Sequence, residues 1–174
     1  MDLCLCRTKA HFSQEGKDRV LTLDPVDIVF EGLTVKLQTR IHFEEGSSRI
    51  KMEREILEMS DPHAEVVLDE YMVACYGTTE YPEDMTGITL ACEGAGGETI
   101  NYEYRCRDAK LDGASAVSAV IPAIETKVSL TASDKALGYI EEGYAFSPMF
   151  KLGYKKTISD KEVFATWLNL EKAN

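Results

Sequence analysis

Between Leu33 and Met59 the chain reads LTVKLQTRIHF, then EEGSS, then RIKMEREILEM. Leu33, Val35, Leu37, Thr39, Ile41 and Phe43 alternate with Thr34, Lys36, Gln38, Arg40 and His42. A strict period of two sets one apolar row on a sheet face and one polar row toward water. Glu44-Glu45-Gly46-Ser47-Ser48 reads as a short hairpin loop in which glycine supplies the positive φ. Ile50, Met52 and Ile56 resume the alternation on a return strand. Lys51–Met59 is also rich in helix formers, so a short helix is the competing reading, but the continued period favours a strand.

The remaining segments repeat this grammar. Leu3 and Leu5 against Cys4 and Cys6 suggest an edge strand, and Val20–Leu23 and Val26–Phe30 are apolar pieces split by Asp24-Pro25. Proline has no N–H for a central ladder, so a bend or a strand edge belongs there. Ser60-Asp61-Pro62-His63 reads as a turn, and Ala64–Tyr76, apolar on both faces, as a strand in the middle of the structure. Ile88, Leu90 and Cys92 with Ile100, Tyr102, Tyr104 and Cys106 make a second hairpin about Glu93–Glu98. Asp108–Gly113 reads as loop, Ile124–Thr131 alternates again, and Phe150, Leu152 and Tyr154 mark a further strand. The tail has two readings. Ser159 with Glu162 is a capping-box pattern ahead of a short C-terminal helix carrying Val163, Trp167 and Leu170. Alternatively, Ser159–Glu162 is the turn of a hairpin, which the β-branched and aromatic residues favour.

Short strands at close spacing, without alternating helices, imply an all-β fold. The expectation is an antiparallel β-sandwich of about nine or ten strands, as one domain over residues 1–174. A chain of 174 residues with 44% apolar and 28% charged residues can bury its core without disulfide staples. Its five cysteines are odd in number and follow no signal-like apolar core, which argues for reduced thiols and a cytoplasmic setting. The net charge of −11 works against nucleic acid and anionic membrane as partners. No run approaches the ~18 apolar residues of a spanning helix.

Chemistry-bearing patterns are sparse. Gly94-Ala95-Gly96-Gly97 is followed by a strand pattern and by no Lys-Ser/Thr pair, so it is a turn and not a phosphate loop. Cys4-Leu5-Cys6 lacks the second ligand pair of a zinc site, so neither a metal nor any other cofactor is expected. The candidates for acid–base chemistry are His42, beside Arg40, and His63, after Asp61-Pro62, together with Asp69 and Glu70. Glu70 shares the row of Leu68 and Met72, where burial would raise its pKa, while Asp69 stands on the opposite row. Tyrosines beside carboxylates on a sheet face suit sugar binding, and Tyr71, Tyr81 and Tyr144 are the candidate ligand contacts.

The run TRIHFEEGSSRIKMEREILEMSD (39–61), continuing into VVLDEYMVACYG (66–77), resembles a passage in the β-sandwich domains of galactose-mutarotase-like carbohydrate-processing proteins. There a strand, a Glu-Gly-Ser-type turn and a charged second strand precede a more apolar third. The histidine–glutamate pair of the mutarotases has no motif on this chain, and a full supersandwich is longer. The resemblance therefore implies an accessory or truncated version that binds a carbohydrate or a partner subunit without catalysis. Exposed sheet edges make a homo-oligomer a further expectation. A sugar epimerase, isomerase or lyase using a His–carboxylate pair is the alternative. A third reading is a structural protein of a phage-like assembly, because FKLGYKKTISDKEVFATWL is similar to the strand-turn-strand ends of phage tail-tube subunits.

Overall fold

The computed structural model describes residues 8–75, 88–94, 96, 99–103, 109–142 and 149–173. These form strands β1 (Ala10–Glu15), β2 (Asp18–Phe30), β3 (Leu33–Glu44), β4 (Arg49–Met59), β5 (Val66–Cys75), β6 (Thr89–Gly94), β7 (Thr99–Glu103), β8 (Ala109–Ile121), β9 (Thr126–Glu142), β10 (Met149–Ile158) and β11 (Val163–Lys172). A single 3-10 turn, Pro122–Ile124, is the only helical element among the described residues. None of their helices is long and apolar enough to cross a membrane. The all-β, antiparallel β-sandwich class expected from the alternation is the one adopted, with eleven strands among the described residues where the spacing suggests nine or ten for the chain. Both segments open to a helical reading, 51–59 and 159–172, lie in or between strands.

The chain divides into two compact units, one of Met1–Val67 with Thr157–Trp167, the other of Leu68–Lys156 with Leu168–Asn174. In the first unit β1, β2, β3 and β4 form an antiparallel meander, and β4 borders β11. The β3–β4 hairpin pairs Phe43 with Ile50, Ile41 with Met52 and Leu37 with Ile56, and Gly46 turns at φ +75°. Val35, Leu37, Ile56 and Met59 are buried, as the apolar row requires. Toward the turn that row emerges, leaving Ile41 half-buried and Phe43 exposed. The β2–β3 register shifts between Leu23 and Val26, so β2 continues past Pro25 by means of a bulge.

Ser159–Glu162 is the turn that joins β10 to β11, but the hairpin expected from the sequence does not form: among the described residues β10 pairs with β5 and β9, and β11 with β4 and β9, so the turn carries the chain from one ladder to another. The Glu162 N–H donates to the Ser159 carbonyl at 3.3 Å, while Glu162 Oε2 accepts from the Ser159 N–H at 2.9 Å. A capping-box pair thus closes a β-turn, because its reciprocal hydrogen bonds suit any tight turn with free N–H groups. The same turn is fastened to β4: Asp160 Oδ1 accepts from the Met59 N–H at 2.7 Å, and Lys161 Nζ donates to the Leu57 carbonyl.

In the second unit the strands follow the order β5-β10-β9-β8-β6-β7. Ile88, Leu90 and Cys92, the row expected inward, are buried together with Val117, Leu130, Ile140, Leu152 and Tyr154. Each large apolar side chain withdrawn from water contributes roughly 1.5–3 kcal/mol. Two expectations need correction here. Asp108–Gly113 is not a loop from Ala109 onward: β8 begins there, and Gly113, at φ +68°, sits at a register shift between Asp112 and Ala114. Strand β5 is not central, because β10 is its sole strand partner among the described residues and Tyr71 is 44% exposed. Apolar residues on both faces do not make a strand central when a lysine stem can cover one of them.

Candidate functional site

The tripeptide Leu-Gly-Tyr occurs twice, as Leu137-Gly138-Tyr139 in β9 and Leu152-Gly153-Tyr154 in β10. The two strands are antiparallel in a register that sets Tyr139 opposite Gly153 and Tyr154 opposite Gly138. Residues opposite one another share a sheet face and neighbours in sequence do not, so the two tyrosines lie on opposite faces. Tyr154 is on the core face, fully buried, and its hydroxyl donates to the Leu130 carbonyl at 3.2 Å. Tyr139 is on the other face, and its ring lies over Gly153: a Cβ there would meet Tyr139 Cζ at 2.5 Å.

Around Tyr139 the same face gathers charged groups from four strands. Glu141 and Lys151 are opposite each other in β9 and β10, and Lys151 Nζ donates to Glu141 Oε2 at 2.7 Å. Lys110 in β8 is opposite Tyr139. From β5, Asp69 Oδ1 accepts the Tyr139 hydroxyl at 2.6 Å, and Asp69 Oδ2 lies 3.6 Å from Lys155 Nζ. Lys155 Nζ stands 5.2 Å from the Tyr139 ring centre, and Lys151 Nζ 4.9 Å from that of Tyr71, both within cation–π range. Asp69, Lys110, Tyr139, Ile140, Glu141, Lys151 and Lys155 line a hollow of about 200 Å³.

The electrostatics follow from these contacts. Burial first, and then the hydrogen bond to the Asp69 carboxylate, push the Tyr139 phenol well above its ordinary range, so it acts as a donor. The Lys151–Glu141 hydrogen bond lowers the glutamate and raises the lysine, stabilising both charged forms. The hollow is therefore a set of fixed charges and donors suited to hydroxyl groups, with a half-exposed aromatic ring beside it.

Of the residues singled out in the sequence, Asp69 and Tyr71 come together here. Glu70 is buried on the opposite face of β5. Tyr81 and Tyr144 lie outside the described residues. His42 and His63 fall in the first unit, as does every histidine of the chain, so the hollow has none from its own unit. His63 is exposed in its turn, where its N–H donates to Asp61 Oδ1 at 2.9 Å. His42 stands 4.0 Å from Asp18 in an ion-pair network in which Glu53 meets Lys51 at 2.5 Å and Arg40 at 3.8 Å. Among the described residues no cluster of three or more His, Cys, Asp or Glu side chains could hold a metal ion.

Tyr139, Glu141, Lys110, Lys151 and Lys155 escape a reading based on motifs, because the site is assembled from strands distant in sequence. The signal that could have found them is the repeated Leu-Gly-Tyr. A glycine across from an aromatic residue on neighbouring strands marks a close approach of ring to backbone.

No protein family model matches the sequence, and no curated protein sequence matches it. Solved structures do. A protein of Synechocystis sp. PCC 6803 aligns over 95% of this chain and 65% of its own, with 11% identity and a TM-score of 0.61. A galactose mutarotase-like protein of Clostridium acetobutylicum aligns over 97% of this chain and 67% of its own, at 7% identity and a TM-score of 0.55. An α-galactosidase of Geobacillus stearothermophilus aligns over 95% of this chain and 26% of its own, at 10% identity and a TM-score of 0.53. At such identities the likeness is one of fold. The chain spans 65% of the length of the Synechocystis protein. Its fold is that of the galactose mutarotase-like structures, as the passage at residues 39–77 suggests.

Proposed function

We propose that this chain is a non-catalytic carbohydrate-binding β-sandwich, an accessory domain or subunit whose ligand occupies the hollow between β5, β8, β9 and β10. The observation that carries the reading is the Asp69 carboxylate, which is fixed by the Tyr139 hydroxyl at 2.6 Å and by Lys155 at 3.6 Å, beside the exposed ring of Tyr71. A carboxylate already oriented by one donor and one ion-pair partner keeps lone pairs for sugar hydroxyls at little entropic cost. A tyrosine ring supplies the apolar surface on which the C–H face of a pyranose packs. The fold likeness to a galactose mutarotase-like protein and to an α-galactosidase is in keeping with a sugar ligand.

The test is a glycan array followed by NMR titration of the full chain. Binding of a mono- or oligosaccharide, with shifts at Asp69, Tyr71 and Tyr139 and loss of binding in Asp69→Asn, is the expected result. An array without hits, or shifts confined to other strands, overturns the reading. Measurement of anomeric exchange with the bound sugar separates binding from catalysis, and exchange faster than in buffer refutes the non-catalytic part.

A further inference from the structure

Among the described residues, the charges that line the hollow do not cancel. Lys151 is matched by Glu141 at 2.7 Å and Lys155 by Asp69 at 3.6 Å. Lys110 lines the same hollow, yet among the described residues it has no carboxylate within ion-pair distance. Its charge is felt by Glu141, whose acidity it strengthens. Among the described residues that line the hollow, three cations stand against two anions, in a chain whose net charge is −11. Such a local inversion of sign is unnecessary for a neutral sugar, which needs only donors and acceptors.

We infer that the hollow selects sugars carrying one singly charged acidic group, with Lys110 as the counter-charge and specificity residue. This rests on the carbohydrate reading above. The class is a uronic acid or a sulfate ester, whose single negative charge matches the single unbalanced ammonium. A phosphate monoester, at about −1.5 to −2 near neutral pH, would leave excess negative charge beside Asp69 and Glu141. The existing pairs are not free to serve instead, since taking Lys151 or Lys155 for the ligand would strand a carboxylate in the hollow. A charge-assisted hydrogen bond is also about twice as strong as a neutral one, so the acidic group dominates the choice among otherwise similar sugars.

The experiment is calorimetric titration of the full chain with glucuronate- or galacturonate-containing oligosaccharides, their neutral counterparts, a sulfated counterpart and a 6-phosphate. The expected result is a preference for the singly charged sugars over the neutral ones of about tenfold or more. That preference should shrink as ionic strength rises from about 20 mM to about 500 mM. Lys110→Gln should bring the acidic sugars down to the affinity of the neutral ones, and Lys110→Arg should retain the preference. Lys110 is exposed on β8, so neither variant disturbs the core. Equal affinity for acidic and neutral sugars, a preference that survives Lys110→Gln, or tighter binding of the phosphate overturns the inference while leaving the carbohydrate reading intact. Failure of every sugar to bind overturns both.

Discussion

Two glycines show how a single hydrogen sets local geometry. Gly138 and Gly153 are each opposite a tyrosine, and neither has a positive φ, so what they provide is room. A Cβ at Gly138 would lie 2.5 Å from Ala114 Cβ and 3.0 Å from Val117 Cγ1, atoms held by the β8 backbone in the core. A Cβ at Gly153 would instead meet the far end of the Tyr139 side chain, with Cζ at 2.5 Å and the hydroxyl oxygen at 2.7 Å, and not backbone-held atoms. Gly138→Ala is therefore expected to cost stability of about 1–3 kcal/mol, the range of an overpacked core. Gly153→Ala should cost less but displace Tyr139 from Asp69 and weaken ligand binding. Urea titrations of both variants, read beside the NMR signal of the Tyr139 ring, test the contrast; equal losses of stability with an unmoved ring would contradict it. Cys92 supports a second prediction at this scale. It is fully buried, and burial pushes its thiol up to about 11, so little thiolate exists at neutral pH. Native protein treated with a thiol reagent should remain unmodified at Cys92 by peptide mass spectrometry and become modified there in urea.

At the scale of elements, the Ser159–Glu162 turn is where one short segment serves two strands. Asp160 and Lys161 both reach β4, and Asp160 satisfies the Met59 N–H next to a buried side chain. Asp160→Ala removes that acceptor, and a destabilisation of about 1–2 kcal/mol is expected. Asp160→Asn, which retains a side-chain carbonyl, should recover most of it. Urea midpoints decide, and equal losses in both variants would mean that charge and not hydrogen bonding matters. The same turn marks the boundary of what the sequence makes legible. Alternation makes the β3–β4 hairpin and its Glu44–Ser48 loop readable, because period two and a glycine with positive φ have one common solution. Pro25 is readable as an irregularity for the same local reason. Gly113 is not, since a glycine with polar neighbours looks alike in a loop and in a bulge, and only the partner strand distinguishes them. The hollow is hardest to read. Asp69 and Tyr71 belong to one strand and stand out together, whereas Lys110, Tyr139 and Lys151 reach them only through the pairing of β10, β9 and β8.

For the whole molecule, charge sets the response to acid through two opposed effects. With a net charge of −11 and a sequence pI near 4.8, the chain repels itself at neutral pH, and that repulsion relaxes as the pH falls toward the pI. The second effect works the other way. Burial acts to raise the Glu53 carboxyl, but its hydrogen bond to Lys51 and the charges of Lys51, His42 and Arg40 outweigh this and hold it below its ordinary value of 4.5. A carboxyl lowered in the folded state is protonated more readily in the unfolded chain. Its contribution is therefore complete above the unfolded value and is lost as the pH falls through the folded one. Glu141 is lowered in the same direction by Lys151. Stability should thus stay level or rise slightly from pH 7 to about 5, where self-repulsion fades, and fall below about 4.5 as these carboxyls take up protons. Glu53→Gln should be less stable than the parent at pH 7 and show a shallower decline below pH 4.5, because one proton-linked group is gone. Salt separates the two effects: raising ionic strength should stabilise the protein at pH 7, where repulsion is strong, and change little near the pI. Urea midpoints for the parent and Glu53→Gln from pH 3 to 7, at low and high salt, are the measurement. An identical acid slope in the two proteins would remove Glu53 from the account, and a salt response independent of pH would remove self-repulsion.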